Sequence, residues 1–133
     1  MLADLTRSVS IITRMRIFVT GASGFVGSAV VPELLRAGHQ VVGLARSDAS
    51  ASAVKAAGAD VLRGDLVDPD ILKRGASSAD GVIHVGFIHD FANYAKSAET
   101  DRAAIQAMAA ALTSRLSATK MPRRVGITVL DGK

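Results

Sequence analysis

Short apolar runs alternate with amphipathic stretches along this chain. Arg16–Thr20 (Arg-Ile-Phe-Val-Thr) is apolar and ends at a glycine turn, which predicts a strand buried on both faces of a parallel sheet. From Gly24 to Ala37 a helix is expected, with Phe25, Val26, Ala29, Val30, Leu34 and Ala37 on one side. Pro32 removes one hydrogen bond inside that span and allows a mild kink, and Gly38 supplies the stop. Gln40–Ala45 reads as a second buried strand. Ser47 can cap a short helix running to Ala57, with Gly58 ending it.

Ala59–Arg63 is a third strand. Asp68-Pro69 then gives a helix start, aspartate as N-cap and proline at the first helical position, for a short helix ending by Gly75. Gly81–Val85 is a fourth strand. After a loop, an Ala-rich helix starts near Ala92 or Ser97 and reaches Leu116, with Ile105, Met108, Ala109 and Leu112 on one face. Val125–Leu130 can form a short fifth strand. Strands separated by helices imply right-handed βαβ crossovers and a parallel sheet covered on both faces. The fold class is therefore α/β, a doubly wound Rossmann domain of four to five strands in order 3-2-1-4, with the fifth beyond.

Composition narrows the function. The chain has 133 residues, enough for one domain, of which 49% are apolar and 4% aromatic. It has no cysteine, which excludes disulfides, thiolate metal sites and a cysteine nucleophile. No apolar run approaches the roughly 20 residues of a membrane span. Residues 1–14 carry Asp4, Arg7 and Arg14 and make a poor signal peptide, so a cytoplasmic protein is expected. The net charge is +4, but residues 1–112 are balanced and the whole excess lies in Thr113–Lys133. A neutral body is a poor footprint for nucleic acid, and none is expected as a partner. Binding through the basic tail is a weaker alternative, and it would be salt-sensitive and lost on deleting Thr113–Lys133.

The segment Thr20-Gly21-Ala22-Ser23-Gly24-Phe25-Val26-Gly27 joins the first strand to the first helix. Gly21 permits the sharp turn, Gly24 lets the backbone approach a pyrophosphate, and Gly27 lets the helix pack closely on the sheet. Backbone amides around Ser23–Val26 and the helix dipole would hold phosphates, and the hydroxyls of Thr20 and Ser23 can add contacts.

This spacing resembles the extended and atypical short-chain dehydrogenase/reductases, the NAD-dependent epimerase/dehydratase group. The resemblance runs from about Met15 to Leu112. It implies that Asp65 in Gly64-Asp65-Leu66 contacts the adenine, and that the backbone of Val82-Ile83-His84-Val85-Gly86 lines the cofactor, with Gly86 where the group usually has alanine. The candidate dinucleotide-binding residues are thus Thr20, Gly21, Ser23, Gly24, Phe25, Val26, Gly27, Arg46, Ser47, Asp65, Leu66, Val85 and Gly86. After the second strand an acid would favour NAD and an arginine the 2′-phosphate of NADP. Ala45-Arg46-Ser47 points to NADP, while Asp48 turned inward would favour NAD.

The group's chemistry uses a Tyr-x-x-x-Lys pair in which lysine and the cofactor ribose lower the tyrosine pKa for proton transfer. The only tyrosine is Tyr94, and Ala98 stands four residues on, with Lys96 two away. No catalytic residue is assigned. Thr128 matches the fifth-strand hydroxyl position poorly. His84, His89 and Asp90 lie near the expected cleft, yet their placement suits buried or rim groups better than a metal site, and His39 suits a helix-to-strand turn. The resulting division is an N-terminal extension (1–14), an NAD(P)-binding Rossmann domain (15–112) and a basic tail (113–133). The tail is either an altered continuation of a longer product or a natural divergent end. The leading reading is the NADP(H)-binding part of an epimerase/dehydratase-like oxidoreductase without its own Tyr/Lys pair. The alternative is a non-catalytic NADP-sensing or interaction module, and the resemblance also allows a homodimer.

Overall fold

The computed structural model describes residues 14–86, 94–118 and 127–129. Residues 1–13, 87–93 (with His89 and Asp90), 119–126 and 130–133 lie outside the described residues, as do the side chains of Tyr94 and Thr128. Five parallel strands are seen among the described residues: β1 (Arg16–Thr20), β2 (Gln40–Ala45), β3 (Asp60–Arg63), β4 (Gly81–His84) and β5 (Ile127–Val129). Their order is β3-β2-β1-β4-β5. This is the doubly wound arrangement expected, with the fifth strand paired to β4.

Among the described residues four helices accompany them: α1 (Gly27–Arg36), α2 (Asp48–Ala56), α3 (Pro69–Ser77) and α4 (Tyr94–Ala118). Alternation along β1 splits the core into two. Ile17 and Val19 face Val31 of α1 and Val54 of α2, while Phe18 faces Leu72 and Ala76 of α3 and Met108 and Leu112 of α4. Helices therefore cover both faces, and each strand residue has a partner layer whichever way it points. None of the described helices is long and apolar enough to cross a membrane.

Local chemistry explains most boundaries. Ser47 caps α2 in a reciprocal box with Ser50, and Asp68 caps α3 ahead of Pro69. Helix α1 runs through Pro32. It starts at Gly27 rather than Gly24, because the Gly24 amide closes a turn onto the Gly21 carbonyl at 3.0 Å. Helix α3 continues past Gly75 to Ser77, where the sequence had suggested a stop. Gly75 is buried against β1, and a Cβ there would fall 2.5 Å from the Phe18 ring. It is a packing glycine inside the helix, not a terminator. Strand β4 ends at His84, one residue before the expected Val85.

Candidate functional site

The C-terminal ends of β1, β2, β3 and β4 open onto a cleft of about 650 Å³. That volume lies within the range of small-molecule sites, and its place at the carboxyl ends of a doubly wound sheet is where such folds bind ligands. One wall is the loop from Gly21 to Gly27. Gly21 has φ +67°, and a Cβ on it would fall 2.7 Å from the Gly86 amide nitrogen. A Cβ on Gly27 would run into the Gly21 carbonyl and stand 2.7 Å from Ala22 Cα. Both positions need glycine because backbone meets backbone there, with no side chain able to move aside. Gly24 is different: a Cβ would meet only the Gly21 oxygen, at 3.3 Å, and the residue borders the open cleft.

The start of α1 is chemically unlike those of α2 and α3. Val26 occupies its N-cap position with no side-chain cap, and no acid sits in the first turn. Ser47 and Asp68 close the other two with side-chain oxygens. The first amides of a helix lack intrahelical acceptors, and an uncapped start facing a cleft leaves them available to an anion.

The opposite side is built by β2, β3 and β4. Arg46 follows β2 and is exposed at the cleft, with Ser50 of α2 beside it on the lining. Asp48 does not line the cleft. Its carboxylate accepts a hydrogen bond from Arg63 Nη1 at 2.7 Å. Both partners are exposed, so the pair adds little stability. Its effect is to direct the acid toward Arg63. Asp65 and Leu66 form the floor with Val85 and Gly86.

Eleven of the thirteen residues singled out from the sequence line this cleft together: Gly21, Ser23, Gly24, Phe25, Val26, Gly27, Arg46, Asp65, Leu66, Val85 and Gly86. Phe25 stands on its rim, 96% exposed. Thr20 and Ser47 stand outside it. Thr20 is fully buried, and its hydroxyl lies 2.6 Å from His84 Nδ1 and accepts the Gly86 amide at 3.1 Å. Ser47 Oγ accepts the Ser50 amide at 3.1 Å as the cap of α2. Leu44, Ser50 and Gly64 also line the cleft and were not singled out. Ser50 was findable as the partner three residues after the cap; Leu44 and Gly64 carry no local signal beyond adjoining Ala45-Arg46 and Asp65.

His39 and His84 have structural partners. His39 Nδ1 accepts the Met15 amide at 3.1 Å, and His84 is held between Thr20 and Asp101. Among the described residues, no group of three or more acidic or histidine side chains is placed to hold a metal ion.

The family model described as the NAD dependent epimerase/dehydratase family matches residues 17–125, reaching past Leu112, where the motif resemblance fades. An uncharacterized protein of Saccharomyces cerevisiae is 57% identical over 96 residues, covering 71% of this chain and 32% of its own length. A 2-alkyl-3-oxoalkanoate reductase of Shewanella oneidensis is 41% identical over 68 residues, covering 51% of this chain and 17% of that protein. The Bordetella bronchiseptica enzyme WbmG, solved in complex with NAD and UDP, superposes with TM-score 0.64 at 25% identity, over 77% of this chain and 35% of WbmG. The chain thus spans about a third of the length of the Saccharomyces cerevisiae relative and of WbmG, and less of the Shewanella oneidensis reductase.

Proposed function

The chain belongs to the NAD dependent epimerase/dehydratase family, and on that premise we propose that it binds NADP(H) in the cleft, as the dinucleotide-binding part of an oxidoreductase of this family. The observation that carries the reading is the uncapped start of α1, set behind a loop whose glycines bring bare backbone to the cleft. In this reading the amides of Phe25, Val26 and Gly27 bind the pyrophosphate, with Gly24 leaving space for it. Asp65 accepts a hydrogen bond from the adenine, and the Val85-Gly86 backbone borders the nicotinamide side. The bound cofactor would supply or accept a hydride; the chain's own residues bind and orient it.

Arg46 supports NADP over NAD. Its planar, forked cation suits a 2′-phosphate, and it stands at the cleft while Asp48, two residues on, is turned to Arg63. NADPH and NADH titrations test the reading together. Tighter binding of NADPH supports it, equal or tighter binding of NADH refutes the specificity, and absence of binding by both refutes the function.

A further inference from the structure

Two buried polar groups that the proposed dinucleotide contacts do not use, Thr20 and His84, form one connected chain with Asp101. Thr20 and His84 are register partners on β1 and β4, 0% and 1% exposed. Thr20 Oγ1 lies 2.6 Å from His84 Nδ1, and His84 Nε2 lies 2.5 Å from Asp101 Oδ1 on α4. The Gly86 amide donates to Thr20 Oγ1 at 3.1 Å. An acid, an imidazole and a hydroxyl in series can activate a nucleophile in a hydrolase. Here the hydroxyl is enclosed and already accepts an amide proton, so it attacks nothing.

The proton positions follow from donor counting. An amide can only donate, so Thr20 Oγ1 is the acceptor toward Gly86. If the Thr20 hydroxyl donates to His84 Nδ1, then Nε2 carries the imidazole hydrogen and donates it to the Asp101 carboxylate. Every group then has its partner. In the reverse order, with Nδ1–H donating to Thr20, the hydroxyl proton would be buried without an acceptor among the described residues.

We propose that Asp101, His84 and Thr20 form a positioning relay for the cleft floor. Asp101 fixes His84 as the Nε2–H tautomer, His84 orients the Thr20 hydroxyl, and Thr20 holds the Gly86 amide. The Thr20 carbonyl also takes the Val85 amide, at 3.3 Å, so one residue fixes the first two steps out of β4. Those steps touch the glycine loop, since a Cβ on Gly21 would fall 2.9 Å from the Val85 carbonyl carbon and 2.9 Å from Gly86 Cα. A displaced β4 exit therefore disturbs both walls of the cleft. Asp101 does not line the cleft, yet through this relay α4 bears on its shape. The effect on ligand affinity rests on the dinucleotide reading; the tautomer and the Gly86 bond do not.

The test uses the full chain. In the ligand-free protein, nitrogen-15 imidazole spectra should show His84 Nδ1 bare and Nε2 protonated, and a protonated Nδ1 overturns the proposal before any variant is made. Thr20→Val keeps the side-chain shape without the hydroxyl and should speed hydrogen exchange at Gly86 by roughly tenfold, the loss of one ordinary hydrogen bond. Exchange at Val19 and Val42 should change much less, and Thr20→Ser should recover protection at Gly86. Unchanged Gly86 exchange in Thr20→Val, or equal acceleration at all three sites, overturns the relay. Asp101→Leu should disturb the His84 tautomer, whereas Asp101→Asn retains an accepting oxygen and should preserve it. With NADPH as probe, Thr20→Val and Asp101→Leu should each bind roughly tenfold more weakly, with recovery in Thr20→Ser and Asp101→Asn. NADPH binding unaffected by Thr20→Val would overturn the link to the cleft. Failure of the unsubstituted chain to bind NADPH, with the spectra and exchange as expected, would instead sink the dinucleotide reading alone.

Discussion

Replacing Gly27 and Gly24 by alanine separates the two tasks of the glycine loop. At Gly27 the new methyl would overlap the Gly21 carbonyl and stand 2.7 Å from both Ala22 Cα and the Gly21 carbonyl carbon. All three obstacles are backbone, so α1 must move away from β1 or the loop must open. Overpacking of this kind costs about 1–3 kcal/mol. For a domain of this size each kcal/mol lowers Tm by about 4 °C, so Gly27→Ala should lose about 4–12 °C. Gly24 has no such obstacle and no positive φ, and its Cβ would meet a single oxygen at 3.3 Å. Gly24→Ala should melt within about 1 kcal/mol of the unsubstituted chain, with a small gain from the stiffer unfolded state working in its favour. Its cost should appear in NADPH affinity instead, because the methyl would occupy space at the phosphate approach. Thermal melts followed by circular dichroism, paired with NADPH titration, read both effects. A Gly27→Ala variant as stable as the parent, or a Gly24→Ala variant that loses stability but keeps full affinity, would refute this division.

Gly75→Ala should destabilise by about 1–3 kcal/mol because its Cβ would enter the buried Phe18 ring at 2.5 Å; adding Phe18→Leu should recover part of that loss in a double-mutant cycle, and strict additivity would contradict the packing. Arg46→Ala should weaken NADPH about tenfold at physiological salt and NADH much less, by loss of a charge-assisted contact at an exposed site. Equal losses for the two cofactors would show that Arg46 does not read the 2′-phosphate.

Much of this architecture was legible because local chemistry and global packing agree. The bounds of β1 and β2 follow from apolar runs closed by Gly21 and by Arg46-Ser47, and the starts of α2 and α3 follow from Ser47 and Asp68. The reading failed where a residue's role depends on a distant partner. Gly75 resembles a stop signal locally, and only the Phe18 ring on another element shows why the helix continues. Thr20 resembles a phosphate-binding hydroxyl, yet its partners are His84 and Gly86, 64 and 66 positions away in sequence. His84 resembles a lone strand histidine until α4 brings Asp101 to it. Ser50 joined the cleft through the turn geometry of α2, which spacing suggests but does not fix.

The most direct measurement is a melt of the intact chain with and without NADPH. A ligand bound only by the folded state adds about RT ln(1 + [L]/Kd), or roughly 2.7 kcal/mol at about 100 Kd. At about 4 °C per kcal/mol, Tm should rise by about 10 °C, with a smaller rise in NADH at the same concentration. A cooperative melt that neither cofactor moves, across millimolar concentrations, would contradict dinucleotide binding in this cleft.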